Sequence, residues 1–314
     1  MLEILLILVG FVILIKSADW LVEGASSLAK RFGISDLVIG LTIVAFGTSA
    51  PELAVNVFAS LKRSSELAIS NVLGSNIANI LLILGVCALI SNLKVHKNTV
   101  WKEIPLSLLA VIMVFVLGND AIMEGASSSA ITRGDGIALL GFFIIFMYYT
   151  FGVARVEGNG FEVEKISALK SIVFVAVGCL GLAFGGKIIV DSALGLASLL
   201  GLSQALVGIT VLAFGTSLPE LAASGMAAWR GNTDMAIGNV VGSNIFNVLL
   251  VLSTSAIINP IPLVDNVTLG MAILASILLF SILFVGRRHT LTRWEGCTFL
   301  VLYAIYISYA LLHI

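Results

Sequence analysis

Glu52 and Glu220 each stand directly after a proline inside a strongly apolar stretch. A carboxylate in such surroundings is costly, and its default reading is functional. The residues before it repeat: Ala45-Phe46-Gly47-Thr48-Ser49-Ala50-Pro51-Glu52 returns as Ala213-Phe214-Gly215-Thr216-Ser217-Leu218-Pro219-Glu220. Proline lacks an N–H and clashes with the carbonyl four residues back, so Pro51 and Pro219 disrupt a helix near Gly47 and Gly215. Glycine eases the departure from helical geometry. Carbonyls freed there cannot face lipid and need a partner or a polar cavity. The upstream half-helix also turns its negative dipole end toward the break. The hydroxyls of Thr48, Ser49, Thr216 and Ser217 and the two carboxylates make an oxygen-only set. Such a set suits a hard cation, notably Ca²⁺, which binds oxygens at about 2.3–2.6 Å. One Gly-Thr-Ser-X-Pro run is often only a kink whose hydroxyls cap backbone groups. Two copies, each with an intramembrane glutamate, argue for a cation site.

A second block is also duplicated: Gly74-Ser75-Asn76-Ile77-Ala78-Asn79 and Gly242-Ser243-Asn244-Ile245-Phe246-Asn247. Ser75 and Asn79 are four apart and share a helix face, as do Ser243 and Asn247. Each pair can present a hydroxyl and an amide oxygen toward the broken helices. Close packing alone is the competing reading, since Gly and Ser let helices approach and Asn bonds across them. Asn71, Asn76, Asn239 and Asn244 are expected to bridge backbone groups rather than bind ions.

These elements must lie in a membrane. The 314 residues are 59% hydrophobic and 11% charged, with mean hydropathy +1.11. Soluble domains carry roughly twice that charge fraction. Cys87, Cys179 and Cys297 are scattered among apolar residues and read as packing residues. The first apolar stretch has no basic segment before it and reads as a retained span rather than a signal peptide.

Thr48 and Thr216 are 168 residues apart, and the same offset pairs Gly40 with Gly208, Thr42 with Thr210, Asn71 with Asn239 and Asn79 with Asn247. It also pairs Glu23 with Asp191. Further on, Arg133-Gly134-Asp135-Gly136 aligns with Arg293-Trp294-Glu295-Gly296 at an offset of 160. The expected organisation is a first repeat over 1–153, a linker over 154–168 and a second repeat over 169–314. Five spans are expected in each, near 3–27, 36–61, 67–91, 104–118 and 134–153, then 169–196, 204–229, 234–258, 267–286 and 294–312. An odd number of spans makes the halves enter the membrane from opposite sides. The expected fold is therefore an all-α integral membrane protein of ten transmembrane helices in two inverted five-helix repeats, with helices 2 and 7 broken.

Loop charge sets orientation. With the N-terminus outside, the inside loops hold Lys30, Arg31, Lys94, Lys97, Lys102, Arg155, Lys165, Lys170, Arg230, Arg287, Arg288 and Arg293. The outside loops then hold Lys62, Arg63 and Arg133. Both termini are accordingly expected outside a multi-pass cell-membrane protein. Lys16 with Asp19, and Lys187 with Asp191, have helical spacing for ion pairs near a span end. Glu23 is placed at the membrane rim. His96, His289 and His313 form no cluster. No Gly-x-x-x-x-Gly-Lys-Ser/Thr phosphate loop and no nucleophile–base set is present, so ATP-driven transport and enzymatic chemistry are unsupported.

The two duplicated blocks together resemble the alpha-repeats of the cation/Ca²⁺ exchanger superfamily, and the whole chain looks most like a prokaryotic Na⁺/Ca²⁺ exchanger. The resemblance implies that Glu52 and Glu220 coordinate Ca²⁺, helped by Thr48 and Thr216. It implies that Ser49, Ser75, Ser217 and Ser243 hold Na⁺ with the carbonyls of Ala45 and Ala213, and that Asn79 and Asn247 complete the site. Some members have Asp at the position matching Asn247. Here both repeats have Asn, so the site carries two formal charges at most. One Ca²⁺ or two Na⁺ would neutralise it, and a further Na⁺ would make exchange electrogenic.

The expected function is secondary antiport, with Na⁺ entering and Ca²⁺ leaving by alternating access at mid-membrane. Protons should inhibit by neutralising the glutamates. H⁺/Ca²⁺ exchange on the same fold is the nearest alternative, and a passive cation channel a more distant one. A membrane scaffold would give no reason for paired buried carboxylates. The expected partners are Na⁺, Ca²⁺ and the lipid bilayer, with no cofactor, no nucleic acid and no obligate protein partner.

Overall fold

The computed structural model describes residues 2–153, 166–199, 213–263 and 266–312. Most of the expected linker, together with Gly208, Thr210, His313 and residues 204–212 of the seventh expected span, lies outside the described residues.

Long apolar runs fold as helices because every backbone polar group then has a partner within its own segment. Helix α1 is Leu2–Phe32. It is followed by α2 (Asp36–Thr48) and α3 (Ala50–Leu61), which meet at a 45° bend. Next come α4 (Leu67–Ile90), α5 (Lys97–Gly118) and α6 (Arg133–Val153). The second half holds α7 (Ala168–Leu199), α8 (Ala213–Thr216), α9 (Leu218–Trp229), α10 (Thr233–Ile258), α11 (Asn266–Ile282) and α12 (Arg293–Leu312). Among the described residues, seven of these helices are long and apolar enough to cross a membrane, and the bent α2–α3 pair makes an eighth. The protein is thus a helical, multi-pass membrane protein. The fourth expected span begins earlier than the sequence suggested. Helical structure starts at Lys97 and passes through an irregular Lys102 (φ −130°, ψ −66°) before Glu103. The ninth ends earlier, at Ile282.

Helices α1 and α7 pack against each other in opposite directions. Their contact runs through glycines: a Cβ on Gly24 would lie 2.7 Å from the Ser171 carbonyl, and one on Gly178 2.8 Å from Leu21 Cβ. Small residues allow this backbone approach in lipid, where no hydrophobic drive brings helices together. The same device joins the two halves at the centre. A Cβ on Gly238 of α10 would lie 2.6 Å from the Leu37 carbonyl of α2, and one on Gly242 2.8 Å from that of Leu41. Helix α10 is accordingly buried all along from Met235 to Phe246.

Among the described residues, three π-helical turns interrupt these helices, at Gly40–Val44, Ala78–Ile83 and Asn247–Leu252. Such turns re-aim side chains and recur at functional sites. The sequence did not announce them. It also left unmarked two short antiparallel pairs. Strand β1 (Leu93–Lys94) pairs with β4 (Thr290–Leu291), and β2 (Ala130–Ile131) pairs with β3 (Ile261–Pro262). The repeat offsets of 168 and 160 carry β1 onto β3 and β2 onto β4, so the two pairs exchange when the halves are swapped.

Candidate ion-binding site

The break between α2 and α3 falls at Ser49 (φ −87°, ψ 3°), and that between α8 and α9 falls at Ser217 (φ −85°, ψ 1°). Each proline sits in the first turn after the break, where a missing N–H costs nothing. The Ala45 carbonyl, expected from the resemblance to help hold Na⁺, accepts the Ser49 N–H at 2.9 Å and also has the Thr48 hydroxyl at 3.3 Å. The carbonyl deprived of its donor by Pro51 is that of Gly47. Ala213 lies in α8 at the matching position.

The breaks deliver Glu52 and Glu220 to the interior, 0% and 1% exposed. They lie within electrostatic reach of each other. Thr48, Ser49, Thr216, Ser217, Ser75, Ser243, Asn79 and Asn247 are buried as well. Bonds across the two halves tie these groups together. Ser49 Oγ donates to Glu220 Oε1 at 2.9 Å, and the Thr48 and Ser243 hydroxyls are 3.4 Å apart. Asn79 Nδ2 donates to Asn244 Oδ1 at 2.9 Å, while Asn247 Nδ2 donates to Asn76 Oδ1 at 3.1 Å. The two amides are thereby held with their oxygens free.

Buried polar atoms are ordinarily hydrogen-bonded. Here Glu52 Oε1 and Oε2, Glu220 Oε2, Ser75 Oγ, Ser217 Oγ, Asn79 Oδ1 and Asn247 Oδ1 are buried without a partner. Every one of these atoms is an oxygen. Leaving a buried acceptor unpaired costs about 1–3 kcal/mol, more for a charged one. Oxygen acceptors of this kind are the ligands a hard cation takes. No group of three or more His, Cys, Asp or Glu suited to a tightly held metal occurs among the described residues. A cavity of about 1310 Å³ lies nearby, lined by apolar residues such as Phe46, Phe58, Phe143 and Phe246, but neither glutamate lines it.

The two halves are not equivalent in detail. Ser49 engages Glu220, yet its counterpart Ser217 makes no bond to Glu52. The remaining asparagines differ from expectation. Asn71, Asn239 and Asn244 bond side chains that belong to the cluster or lie beside it, and only Asn76 also donates to backbone, the Asn244 carbonyl at 3.2 Å. Residues absent from the sequence-derived set are Asn56 and Ser224, one turn beyond the glutamates. Asn56 is 0% exposed and accepts from Asn71 at 2.8 Å; Ser224 accepts from Asn239 at 2.8 Å. Their common offset of 168 is the signal that was present.

Of the two expected ion pairs, Lys187–Asp191 forms at 2.8 Å. Asp19 pairs not with Lys16 but with Arg230, whose Nε donates to it at 2.8 Å, and Arg230 also reaches Glu23 at 3.2 Å. The guanidinium thus engages two carboxylates one turn apart on α1, in charge-assisted hydrogen bonds. His96 is bonded to Asp234 at 3.0 Å.

The sequence model of the family described as sodium/calcium exchanger protein matches residues 2–152 and 170–312. The sodium/calcium exchanger MaX1 of Methanosarcina acetivorans is 30% identical over 338 residues, covering 96% of this chain and 97% of that protein. The inner membrane protein YrbG of Escherichia coli is 37% identical over 81% of this chain and 79% of its own. Solved structures of the sodium-calcium exchanger NCX_Mj, among them one soaked with Na⁺ and Sr²⁺, superpose with a TM-score of 0.85 at 36% identity, covering 98% of each chain. With the family matched along both halves and the fold shared over nearly its whole length, this chain belongs to the sodium/calcium exchanger protein family.

Proposed function

We propose that this protein exchanges Na⁺ for Ca²⁺ through a single mid-membrane site made by Glu52 and Glu220. Thr48, Ser49, Ser75, Asn79, Thr216, Ser217, Ser243 and Asn247 and the carbonyls of Ala45 and Ala213 complete it. The observation that carries the proposal is the cluster of unpartnered buried oxygens on both repeats. Two carboxylates neutralise one Ca²⁺ or two Na⁺, so the ions compete for the same oxygens. An empty site would carry bare charge through lipid during a conformational switch, which is costly. That cost couples the two fluxes. A third Na⁺ on the hydroxyls and amides would make the exchange electrogenic. The names of MaX1 and NCX_Mj support Na⁺ as the counter-ion.

The proposed scaffold has ten spans, in inverted repeats over 1–153 and 169–314. The exchange of the two strand pairs supports it, because β1 and β4 then fall on one membrane side and β2 and β3 on the other. Excess Lys and Arg on the β1–β4 side supports termini outside. Helices α1 and α7 form a pair that slides against the core of α2–α4 and α8–α10, opening the site to one side at a time.

The test is ⁴⁵Ca²⁺ uptake into Na⁺-loaded proteoliposomes, against choline- and K⁺-loaded controls. Uptake is expected only with internal Na⁺, and is expected to vanish in Glu52→Gln. Uptake that ignores Na⁺ and follows an imposed pH gradient would assign H⁺/Ca²⁺ exchange instead.

A further inference from the structure

We infer that Asn56 and Asn71 are positioning residues that dictate where the Thr216 hydroxyl sends its proton, leaving its oxygen as a dedicated cation acceptor. The inference rests on the ion-site reading above.

The bonds form a relay. Asn56 Nδ2 donates to the Ala68 carbonyl at 3.0 Å, Asn71 Nδ2 donates to Asn56 Oδ1 at 2.8 Å, and Thr216 Oγ1 donates to Asn71 Oδ1 at 3.3 Å. Its direction follows from chemistry alone. A backbone carbonyl can only accept, so the Asn56 atom facing Ala68 must be the NH₂ group. The atom facing Asn71 is then the amide oxygen, which also only accepts. Asn71 must turn its NH₂ toward Asn56 and its oxygen toward Thr216. A threonine hydroxyl has one proton, and the relay consumes it. With its proton on Asn71, Thr216 Oγ1 offers lone pairs, and it lies close enough to Glu52 to interact with it, while neither Glu52 carboxylate oxygen has a partner at hydrogen-bonding geometry. Acceptors massed in a buried space repel one another unless a cation sits among them.

The other half lacks this lock. The position matching Asn56 is Ser224, which accepts from Asn239 Nδ2 at 2.8 Å, and Thr48 Oγ1 donates to Asn239 Oδ1 at 3.1 Å. A serine hydroxyl can donate or accept, so nothing in these bonds fixes the direction. Thr48 also has the Ala45 carbonyl at 3.3 Å and Ser243 Oγ at 3.4 Å as partners. Thr216 is committed to one orientation, while Thr48 is free to turn.

The experiment measures KM and kcat for Ca²⁺ in Na⁺-loaded proteoliposomes, with direct ⁴⁵Ca²⁺ binding to the purified protein alongside. Asn56→Leu is expected to raise KM roughly tenfold with kcat within about twofold, the scale of one misdirected hydrogen bond. Asn56→Ser, which reproduces the unlocked arrangement of the other half, is expected to leave KM raised, between wild type and Asn56→Leu, because a serine can meet Asn71 without fixing its direction. On a Thr216→Val background Asn56→Leu should add nothing, because the oxygen it directs is gone. If Asn56→Leu does not fold, Asn71→Ala breaks the relay one link later and should show the same KM rise and the same silence with Thr216→Val. A wild-type KM in a folded variant, or an undiminished further rise on Thr216→Val, would overturn the relay alone. A wild type that binds no Ca²⁺ would overturn the ion-site reading and this inference with it.

Discussion

A buried oxygen without a donor raises the free energy of the ion-free protein, and the cost differs between the two repeats. Ser49 Oγ supplies a hydrogen bond to Glu220, whereas Ser217 Oγ is buried and bonded to nothing. Ser49→Ala should therefore lower the ion-free stability by about 1–3 kcal/mol, because it strips a buried carboxylate of a donor. Ser217→Ala should leave it within about 0.5 kcal/mol, since no bond is lost. Thermal unfolding of detergent-purified protein in chelator and choline buffer distinguishes them, and equal losses would contradict the asymmetry. Acid supplies a second check. A proton on Glu52 or Glu220 removes the charge that a divalent ion needs. Ca²⁺ uptake should thus fall as pH falls, through a rising KM that saturating Ca²⁺ reverses. Initial rates over a pH series at low and saturating Ca²⁺ measure this, and a fall confined to kcat would speak against competition.

At the scale of elements, the site depends on how closely α2 and α10 approach. Gly238 lies so near the Leu37 carbonyl that a methyl group would be 2.6 Å from it, a distance that forces backbone to move. Gly238→Ala is expected to cost about 1–3 kcal/mol and to weaken Ca²⁺ affinity, because displacing α10 pulls Ser243 and Asn247 away from Thr48 and Glu220. Gly74, with no atom within 4 Å of a built Cβ, is the control, and Gly74→Ala should leave both properties near wild type. The two broken helices were legible in the sequence because Gly-Thr-Ser-X-Pro-Glu states its break chemically, and because polar residues in an apolar, duplicated context stand out. The π-helical turns were not, since one extra residue in a helical turn leaves no mark on composition or periodicity. The Asn56 relay was hidden for another reason. Asparagine at that position gains meaning only when Asn71 and Ala68 are brought against it. Asp19 was assigned to its helical neighbour Lys16, although its partner Arg230 is 211 residues away, because local spacing is all that a sequence displays.

For the whole molecule, the repeat predicts how the opposite-facing state is held. On the inverted-repeat scaffold proposed above, that state is reached by exchanging the conformations of the two halves. In the present structure Arg230, at the end of α9, clamps Asp19 and Glu23 of α1, all three about 30% exposed. The offset of 168 carries Arg230 onto Lys62, Glu23 onto Asp191 and Asp19 onto Lys187. At that second end, Asp191 is bonded instead to its own helical neighbour Lys187, both of them exposed. One end of the α1–α7 pair is tied to the core, and in the exchanged state Asp191 should leave Lys187 for Lys62 as Arg230 lets go. A partly exposed cluster of this kind contributes only about 1 kcal/mol, enough to shift a two-state balance by roughly fivefold but not to abolish it. Arg230→Gln should therefore favour the exchanged state and Lys62→Gln the present one. Labelling of a cysteine placed at Thr48 by a membrane-impermeant reagent, applied to each face of oriented vesicles in turn, reads that balance. The two variants should shift accessibility in opposite senses, and high salt should mute both shifts. Identical accessibility in both variants would mean that the cluster anchors a helix end without selecting between states.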